Sequence, residues 1–176
     1  AFFKGGRLAY FGAGTSGRLG VLDATECMPT FSVPDTMVQA FIAGGNAALR
    51  HAVENAEDSR KRALADINAF SPLPEDVVVG ISASGNPAYV LTVLEKARCR
   101  GANTVGITCN PEAKLKPLCD VCITAPVGPE VIAGSSRMKA GTAQKMILNM
   151  LSTASMIKIG KTYGNYMIDV TPACAK

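Results

Sequence analysis

The chain has 176 residues, 48% of them hydrophobic, and a formal net charge of +4 from 18 basic and 14 acidic side chains. This length and apolar content suit one α/β domain, residues 1–176, with a sizeable core. The charges are scattered and the longest basic cluster is residues 60–62, so no nucleic-acid surface is indicated. No apolar stretch is long enough to span a membrane, and the first residues lack a secretory pattern, which predicts a cytoplasmic protein.

Short apolar runs alternate with segments of helical spacing along the chain. Strands are predicted at residues 7–11, 37–42, 76–82, 103–108 and 121–125, and helices at 16–24, 47–54, 58–70, 87–100 and 136–159. The third run is almost continuously β-branched, which is typical of a strand in the middle of a parallel sheet. The alternation predicts a three-layer α/β/α sandwich with a five-stranded parallel sheet.

Two helical segments carry further expectations. Pro29 is expected to prevent the first helix from continuing, because proline lacks a backbone N–H. The last helix carries an apolar stripe that is expected to fill the core, with Ala140, Met156 and Lys158 on other faces. The members of the stripe are Met146, Ile147, Met150, Leu151, Ala154 and Ile157.

Six cysteines are spread through the sequence, at Cys27, Cys99, Cys109, Cys119, Cys122 and Cys174. Most lie in apolar segments, and their number and spacing do not form a disulfide framework, which predicts reduced thiols. Cys119 and Cys122 form one C-x-x-C, but no second pair follows, and the only histidine, His51, is far away in sequence. We therefore predict no metal site.

The first strand ends in a glycine-rich turn that contains Gly12, Gly14 and Gly17, with Thr15 and Ser16 between the last two. The turn leads into a helix, whose first N–H groups attract anions. The glycines also spell the dinucleotide fingerprint G-x-G-x-x-G. The second apolar run, however, ends at residues 43–45 without the carboxylate that would hold a ribose. The pattern therefore favours a small phosphorylated ligand over a dinucleotide.

Three loops of similar composition follow predicted strands or precede the last helix. They are residues 12–17, 82–86 and 134–139, and each combines glycine with hydroxyl side chains. The third also carries Arg137 and Lys139. Ligands of parallel α/β sheets bind beyond the carboxyl ends of the strands, where the strand order reverses. One such loop is typical of a plain turn, but three at one edge predict a phosphate site.

Longer segments carry a resemblance to a known family. They are GAGTSGRLGVLDATEC (12–27), IAGG (42–45), HAVENAEDS (51–59), DVVVGISASG (76–85), GPEVIAGSSRMKAGTAQKMILNMLSTASM (128–156) and YGNYMIDV (163–170). With them the chain resembles the sugar isomerase (SIS) domains and, within that group, the N-acetylmuramic acid 6-phosphate etherases, relatives of the glucokinase regulatory proteins. Residues 128–145 resemble the signature that both groups share, whereas GAGTSGRLG followed by DATEC favours the etherases.

The resemblance implies a homodimer that acts on a 6-phosphorylated amino sugar without a metal or redox cofactor. The reaction cleaves the ether between D-lactate and C3 of the sugar, in cell-wall amino-sugar recycling. In the open-chain aldehyde, loss of the C2 proton lets lactate leave from C3, and water then adds at C3. Such a reaction needs a base, an acid and a phosphate anchor.

The resemblance also assigns residues to these roles. Glu26 matches the acid that assists departure of lactate, and an apolar setting beside Cys27 is expected to raise its pKa. Glu57 matches the base that takes the C2 proton. From position alone, Glu26 could be a solvated surface group, and Glu57 could interact favourably with the positive N-terminal end of the next helix. The substrate-binding residues that the match implies are Gly14, Thr15, Ser16, Gly17, Ser82, Ser84, Gly85, Asn86, Ser135, Ser136 and Lys139.

The sequence departs from the family pattern at the second loop and at both ends. Where SIS domains commonly have Ser-Gly-x-Thr, residues 84–87 read Ser-Gly-Asn-Pro, so Asn86 or backbone N–H groups are expected to replace a lost hydroxyl. The family carries helical segments before residues 5–7 and after an end matched by residues 173–176. The sequence is therefore expected to be a fragment.

Two other functions are compatible with the three loops. A non-catalytic sugar-phosphate sensor would need the loops but not two placed carboxylates. An aldose-ketose isomerase would use the same aldehyde and C2 proton, but it returns the proton to C1 and needs no acid for a leaving group. Glu26 and Glu57 together therefore favour the etherase.

Overall fold

The computed structural model describes residues 1–170, so Cys174 and the end matched by residues 173–176 lie outside the described part. The strands are β1 (Leu8–Gly12), β2 (Val38–Ile42), β3 (Val77–Ile81), β4 (Asn103–Thr108), β5 (Val121–Thr124), β6 (Thr162–Tyr163) and β7 (Tyr166–Met167). The helices are α1 (Gly14–Phe31), α2 (Ala47–Arg50), α3 (Arg60–Phe70), α4 (Ala88–Cys99) and α5 (Lys139–Lys158). Within residues 1–170, no helix has both the length and the apolar content that a membrane crossing requires.

Five parallel strands form the central sheet in the order β2-β1-β3-β4-β5. The chain goes from β1 outward to β2 and then returns to β3 on the other side of β1. The strand order therefore reverses between β1 and β3, whose ends are in register, with Gly12 opposite Ile81. The five-stranded parallel sheet and the central position of β3 are confirmed.

Two apolar clusters cover the two faces of the sheet and make the three layers. One cluster packs α3 and α4 against the sheet and includes Ile67, Phe70, Val90 and Leu94. The other packs α1 and α5 against the opposite face and includes Tyr10, Phe31, Ile81, Leu148 and Met156. The α1/α5 layer contributes residues to two of the three candidate loops, because both helices begin at the sheet's carboxyl edge.

The observed boundaries correct the prediction at Pro29, which lies inside α1. Proline removes only the hydrogen bond to the carbonyl of Thr25, and Thr25 is exposed, so water can satisfy that carbonyl. Burial of Phe31 in the core favours continuation of the helix past the proline. Other differences are small: α2 stops at Arg50, α3 starts after Ser59, and α5 starts at Lys139 instead of 136. The β6–β7 hairpin was not predicted.

The apolar stripe predicted on α5 is only partly confirmed: its members Ile147 and Leu151 pack against the core cluster, but Ala140 and Met156, expected on other faces, are buried. The buried face of α5 carries Ala140, Gly141, Gln144, Leu148, Ser152 and Met156. Met146, Met150 and Ile157 are each at least half exposed. Spacing alone could not separate the two faces, because both carry apolar residues and the buried face includes polar ones that bond to α1. The outer face of α5 is therefore an exposed apolar surface.

An ion pair anchors the start of β1 to the start of β3. The Asp76 carboxylate is almost fully buried and accepts from Arg7 Nη2 at 2.5 Å, from the Arg7 backbone N–H at 2.7 Å and from the Leu73 N–H at 2.9 Å. Arg7 also stacks on the Phe70 ring, 4.1 Å from its centroid. Burial alone would raise the pKa of Asp76, but hydrogen bonds from Arg7 and Leu73 bring it below its usual value.

We expect Asp76→Ala to lower the free energy of unfolding by about 2–3 kcal/mol at neutral pH, measured by urea denaturation. The matched control is Asp169→Ala, which removes the partly exposed pair with Lys161 and should cost less than about 1 kcal/mol. Because the folded pKa of Asp76 is lowered, its contribution to stability is complete above the unfolded pKa of about 4 and is lost as the pH falls through the folded pKa. Equal losses in the two variants would contradict this role.

Candidate functional site

The loops that follow β1 and β3 lie side by side at the carboxyl edge of the sheet. Gly12 pairs with Ile81, so the next residues of each strand, Ala13 and Ser82, begin neighbouring loops. This edge is where the strand order reverses, the usual position of ligands in such sheets. The fold therefore brings the first two predicted loops together.

Glycine is needed at positions 14 and 17 of the first loop for different structural reasons. Gly14 is exposed and has a φ of +52°, a backbone conformation that favours glycine at the start of α1. Gly17 is buried, and a Cβ there would lie 2.6 Å from Ile42 Cγ1 and 2.7 Å from the carbonyl oxygen of Gly12. Gly17 therefore lets α1 pack closely on the strand ends, whereas Gly14 is the glycine of this pair that faces outward.

The second loop is held by its own hydroxyl groups. Ser82 Oγ accepts from the Gly85 N–H at 3.0 Å, and Ser84 Oγ accepts from the Asn86 N–H at 3.3 Å. Gly85 has a φ of +70°, and a Cβ there would lie only 2.3 Å from the Cβ of Ala113. Asn86 Oδ1 accepts from a backbone N–H, so its Nδ2 group is the part of the side chain that can donate to a ligand.

The third loop is closed by a carboxylate that the sequence analysis did not single out. Glu130 accepts from the backbone N–H of Lys139 at 3.1 Å and of Ala140 at 3.0 Å. The bond from Ala140 is the largest contribution that lowers the pKa of Glu130. Lys139 Nζ donates to the Pro129 carbonyl at 2.8 Å. Sequence rules look for a cap beside the helix, so a cap nine residues upstream carries no local signal.

Contacts between α1 and α5 bring the first and third loops together. A Cβ at Gly141 would lie 3.4 Å from Thr15 Cγ2 and 3.5 Å from the Ser136 carbonyl oxygen, so Thr15 and Ser136 border the same glycine. One turn further along α5, the buried Ser16 hydroxyl donates to Gln144 Oε1 at 2.8 Å. Gln144 was missed because a polar residue inside an apolar helix gives no sign of its partner. All three predicted loops thus meet at one sheet edge.

Glu57 lies beside these loops. It lines a cavity of about 230 Å³ together with Gly14, Arg18 and His51. Its backbone carbonyl accepts from the Tyr89 N–H at 2.9 Å, which ties it to the first turn of α4 just beyond the second loop. Arg18 supports this segment by donating to the carbonyls of Leu49 and His51. The Glu57 side chain is exposed, so a ligand in the cavity could reach it.

Glu26 lies elsewhere in the same chain. It is on α1, twelve residues after Gly14, and a rise of 1.5 Å per residue puts it about 18 Å along the helix from that glycine. It lines a separate cavity of about 370 Å³ with Lys145 and Asn149. The buried apolar setting expected for Glu26 is not found, because its side chain is exposed, although Leu22 and Phe31 also line the cavity. One chain therefore does not bring the two glutamates together.

A buried carboxylate lies one turn before Glu26. Asp23 accepts from Tyr10 Oη at 2.8 Å, Asn149 Nδ2 at 2.6 Å and Ser152 Oγ at 3.0 Å. Burial and the neighbouring Asp23 both raise the pKa of Tyr10. No local sequence signal separates Asp23 from other helical carboxylates. These bonds fix α1 against α5 and so hold the wall of the Glu26 cavity in place.

The cysteines carry free thiols at Cys27, Cys99, Cys109, Cys119 and Cys122. Burial raises the pKa of Cys27 and of Cys119 to about 12 in each case, so neither is a thiolate at neutral pH. Between residues 1 and 170 no group of three or more histidine, cysteine or carboxylate side chains is arranged to hold a metal ion.

Curated relatives match almost the whole chain. It is 56% identical over 176 residues to the N-acetylmuramic acid 6-phosphate etherase of Pseudoalteromonas atlantica, covering 100% of this chain and 57% of the relative. The enzyme of the same name from Edwardsiella ictaluri is 58% identical, at 100% and 59% coverage, and that from Pasteurella multocida is 59% identical, at 96% and 56%. The chain thus spans a little over half the length of these relatives.

Solved structures share the fold at low sequence identity. A phosphoheptose isomerase from Francisella tularensis has a TM-score of 0.66 at 18% identity, covering 86% of this chain and 77% of that one. The Vibrio vulnificus NanR protein complexed with ManNAc-6P has a TM-score of 0.58 at 16% identity, with 87% and 49% coverage. Residues 3–98 match the family described as the glucokinase regulatory protein N-terminal SIS domain, more than half of the chain. The chain therefore belongs to this family of SIS domains.

Proposed function

We propose that the chain is the catalytic SIS domain of an N-acetylmuramic acid 6-phosphate etherase, which converts its substrate to N-acetylglucosamine 6-phosphate and D-lactate. The observation that carries the proposal is the meeting of three hydroxyl-bearing loops beside an exposed glutamate, Glu57, at the reversal point of the sheet. Relatives that carry this name and are 56–59% identical over 96% or more of the chain support the assignment.

In this proposal the loops hold the 6-phosphate. Thr15, Ser84 and Ser135 supply hydroxyl donors, and the N-terminus of α1 supplies backbone N–H groups and a positive dipole end. Lys139 adds a positive charge beside the third loop. The remaining assigned binding residues, Gly14, Ser16, Gly17, Ser82, Gly85, Asn86 and Ser136, shape these loops or donate from them.

Glu57 acts as the base and Glu26 as the acid. Glu57 takes the proton from C2 of the open-chain aldehyde, the C3–O bond breaks, and Glu26 gives its proton to the departing lactate oxygen. Water then adds its hydroxyl to C3 of the unsaturated aldehyde, and C2 regains a proton. Because about 18 Å of helix separates Glu26 from Gly14, which lies beside Glu57 in the same chain, we infer that each site combines Glu57 of one copy with Glu26 of another.

The surface around Glu26 suits a second copy of the chain. Lys145, Asn149 and Thr153 of α5 line its cavity, and Met146 and Met150 on the outer face are 50% and 57% exposed. Exposed apolar surface of this kind marks protein contacts. A homodimer that covers it would bring Glu26 into contact with the neighbouring copy.

We expect sedimentation to give a two-subunit species, and Met150→Glu to shift it toward a monomer with reduced lactate release, because a buried unpaired carboxylate opposes association. The matched control is Leu64→Glu, an exposed apolar position on α3 in the opposite layer, which should stay a dimer. A fully active monomer of the unaltered protein would contradict the shared site.

Ser84→Ala and Ser135→Ala are each expected to weaken binding of N-acetylglucosamine 6-phosphate roughly tenfold or more, because a hydrogen bond to a charged group contributes about 1.5–3 kcal/mol. Calorimetric titration measures the effect. Ser155→Ala is the control, since its hydroxyl donates to the Leu151 carbonyl within α5. Unchanged affinity in both loop variants would remove these loops from the site.

The function itself is tested by incubating the protein with several 6-phosphorylated amino sugars, followed by assays for both lactate and sugar interconversion. Release of lactate from N-acetylmuramic acid 6-phosphate supports the etherase. Binding without turnover would support a sensor, and aldose-ketose interconversion without lactate would support an isomerase. The pair Glu26 and Glu57 favours the first outcome, because a sensor needs neither and an isomerase needs no acid for a leaving group.

A further inference from the structure

Gln144 is a buried polar side chain whose amide nitrogen has no partner. The residue is 1% exposed, and its Oε1 accepts from Ser16 Oγ at 2.8 Å. Among the residues that the structure describes, its Nε2 and Thr92 Oγ1 are the buried side-chain atoms without a hydrogen-bond partner. Buried N–H groups are nearly always bonded. The unpartnered nitrogen lies on the amide that contacts the first loop, whereas Thr92 is on α4 across the sheet.

The bond between Ser16 and Gln144 has a chemical consequence for anion binding. A serine hydroxyl has one proton, so when it donates to Gln144 Oε1 it cannot donate to anything else. A phosphate dianion offers only acceptors, so Ser16 can bind it only by donating that proton. Turning the amide by 180° exchanges its oxygen for its nitrogen at the same position. Nε2 then donates to Ser16 Oγ, and the hydroxyl proton is released toward the ligand.

The packing of α5 keeps the amide within reach of the loop. Gly141, one turn earlier on α5, faces α1, and a Cβ there would be in van der Waals contact with Thr15 Cγ2, at 3.4 Å. Ser16 is itself 7% exposed, so water has little access to compete for its hydroxyl. The hydrogen-bonding group opposite Ser16 is therefore supplied by residue 144 of the same chain.

We propose that Gln144 is a positioning residue that directs the Ser16 hydroxyl: its amide nitrogen donates to Ser16 Oγ and thereby points the Ser16 proton at the phosphate group of the sugar. The inference rests on the proposed function, because it requires a phosphate at the first loop. Glutamine suits this role because the same side chain can either donate or accept. An ionised carboxylate can only accept, and a methionine does neither effectively.

The test compares Gln144→Glu and Gln144→Met by calorimetric titration with N-acetylglucosamine 6-phosphate. Gln144→Glu draws the Ser16 proton away from the ligand, so affinity should fall roughly tenfold or more. Gln144→Met leaves the hydroxyl undirected, so affinity should fall by about threefold to tenfold. In a Ser16→Ala background Gln144→Met should have no further effect, because Gln144 acts through Ser16. Thr92→Val, which removes the other unpartnered buried group, should retain wild-type affinity.

Turnover gives a second readout that loss of packing alone would not produce. A contact to the phosphate stabilises substrate and transition state equally, so Gln144→Met should raise KM and leave kcat unchanged. The affinity of the wild-type protein for the sugar phosphate tests the proposed function. The ratio of variant affinity to wild-type affinity tests the role of Gln144. If the wild-type protein binds no sugar phosphate, both the proposed function and the role of Gln144 are overturned. If the wild type binds, an additive Ser16→Ala/Gln144→Met double variant, or wild-type affinity in Gln144→Glu, overturns the role of Gln144 alone.

Discussion

Glu57→Ala is expected to abolish lactate release and also exchange of the C2 hydrogen with solvent deuterium. Removal of the base blocks the first step, and all later steps depend on it. A general base typically contributes about a hundredfold to ten-thousandfold in rate. NMR of the sugar phosphate in deuterated buffer follows both signals in one sample. The position of Glu57 beside Gly14 at the sheet edge is the structural basis of this prediction.

The control for Glu57 is Glu95→Ala, which removes an exposed carboxylate on α4 outside both glutamate cavities. It should retain wild-type rates of exchange and release. If Glu57→Ala still exchanges the C2 hydrogen at the wild-type rate, another group is the base.

Glu26→Ala is expected to lose lactate release, again by about a hundredfold to ten-thousandfold, while exchange at C2 continues. The base and the aldehyde remain in this variant, so the carbanion still forms and is reprotonated from solvent. In the proposed mechanism the two glutamates serve different bonds, so mutation can separate their roles. Loss of exchange in Glu26→Ala, with exchange retained in Glu57→Ala, would reverse the two roles.

Mixing the two variants tests whether the glutamates of one site come from different copies. A mixed dimer has one site with both glutamates and one site with neither, if each site takes Glu57 from one copy and Glu26 from the other. Random reassociation would then restore about a quarter of wild-type lactate release, since half the dimers are mixed and half their sites are complete. No recovery from a mixture that exchanges subunits would place both glutamates of a site in the same chain.

The strands and the glycine- and hydroxyl-bearing loops were predictable because their signals are local. An almost continuous β-branched run identifies β3, and glycine with hydroxyls directly after a strand identifies residues 12–17 and 82–86. The parallel order of the strands then brings these loops to one edge without any further information. Ser84 and Gly14 were found in this way, and both are exposed there.

The remaining features depend on partners that are distant in sequence. Pro29 suggested the end of a helix, but burial of Phe31 outweighs the single hydrogen bond that proline removes. The buried face of α5 includes Gln144 and Ser152, which look like surface residues until their bonds to Ser16 and Asp23 are known. Helical periodicity alone cannot identify such a face.

Local sequence patterns also fail to identify the role of a charged residue, Glu130. Its carboxylate caps α5 from nine residues upstream, and no rule based on neighbouring positions would pair it with Lys139 and Ala140. The separation of Glu26 from Gly14 also depends on the full length of α1, which continues past the end predicted at residue 24. A longer helix changes where a catalytic side chain can act.

The central claim, elimination from a phosphorylated amino sugar through loss of the C2 proton, is tested most directly by one measurement. The unaltered protein is incubated with N-acetylmuramic acid 6-phosphate in deuterated buffer, and the products are followed by NMR. We predict stoichiometric free lactate and N-acetylglucosamine 6-phosphate that carries deuterium at C2. Lactate release with the original C2 proton retained would exclude this mechanism, and the absence of any lactate would exclude the etherase activity.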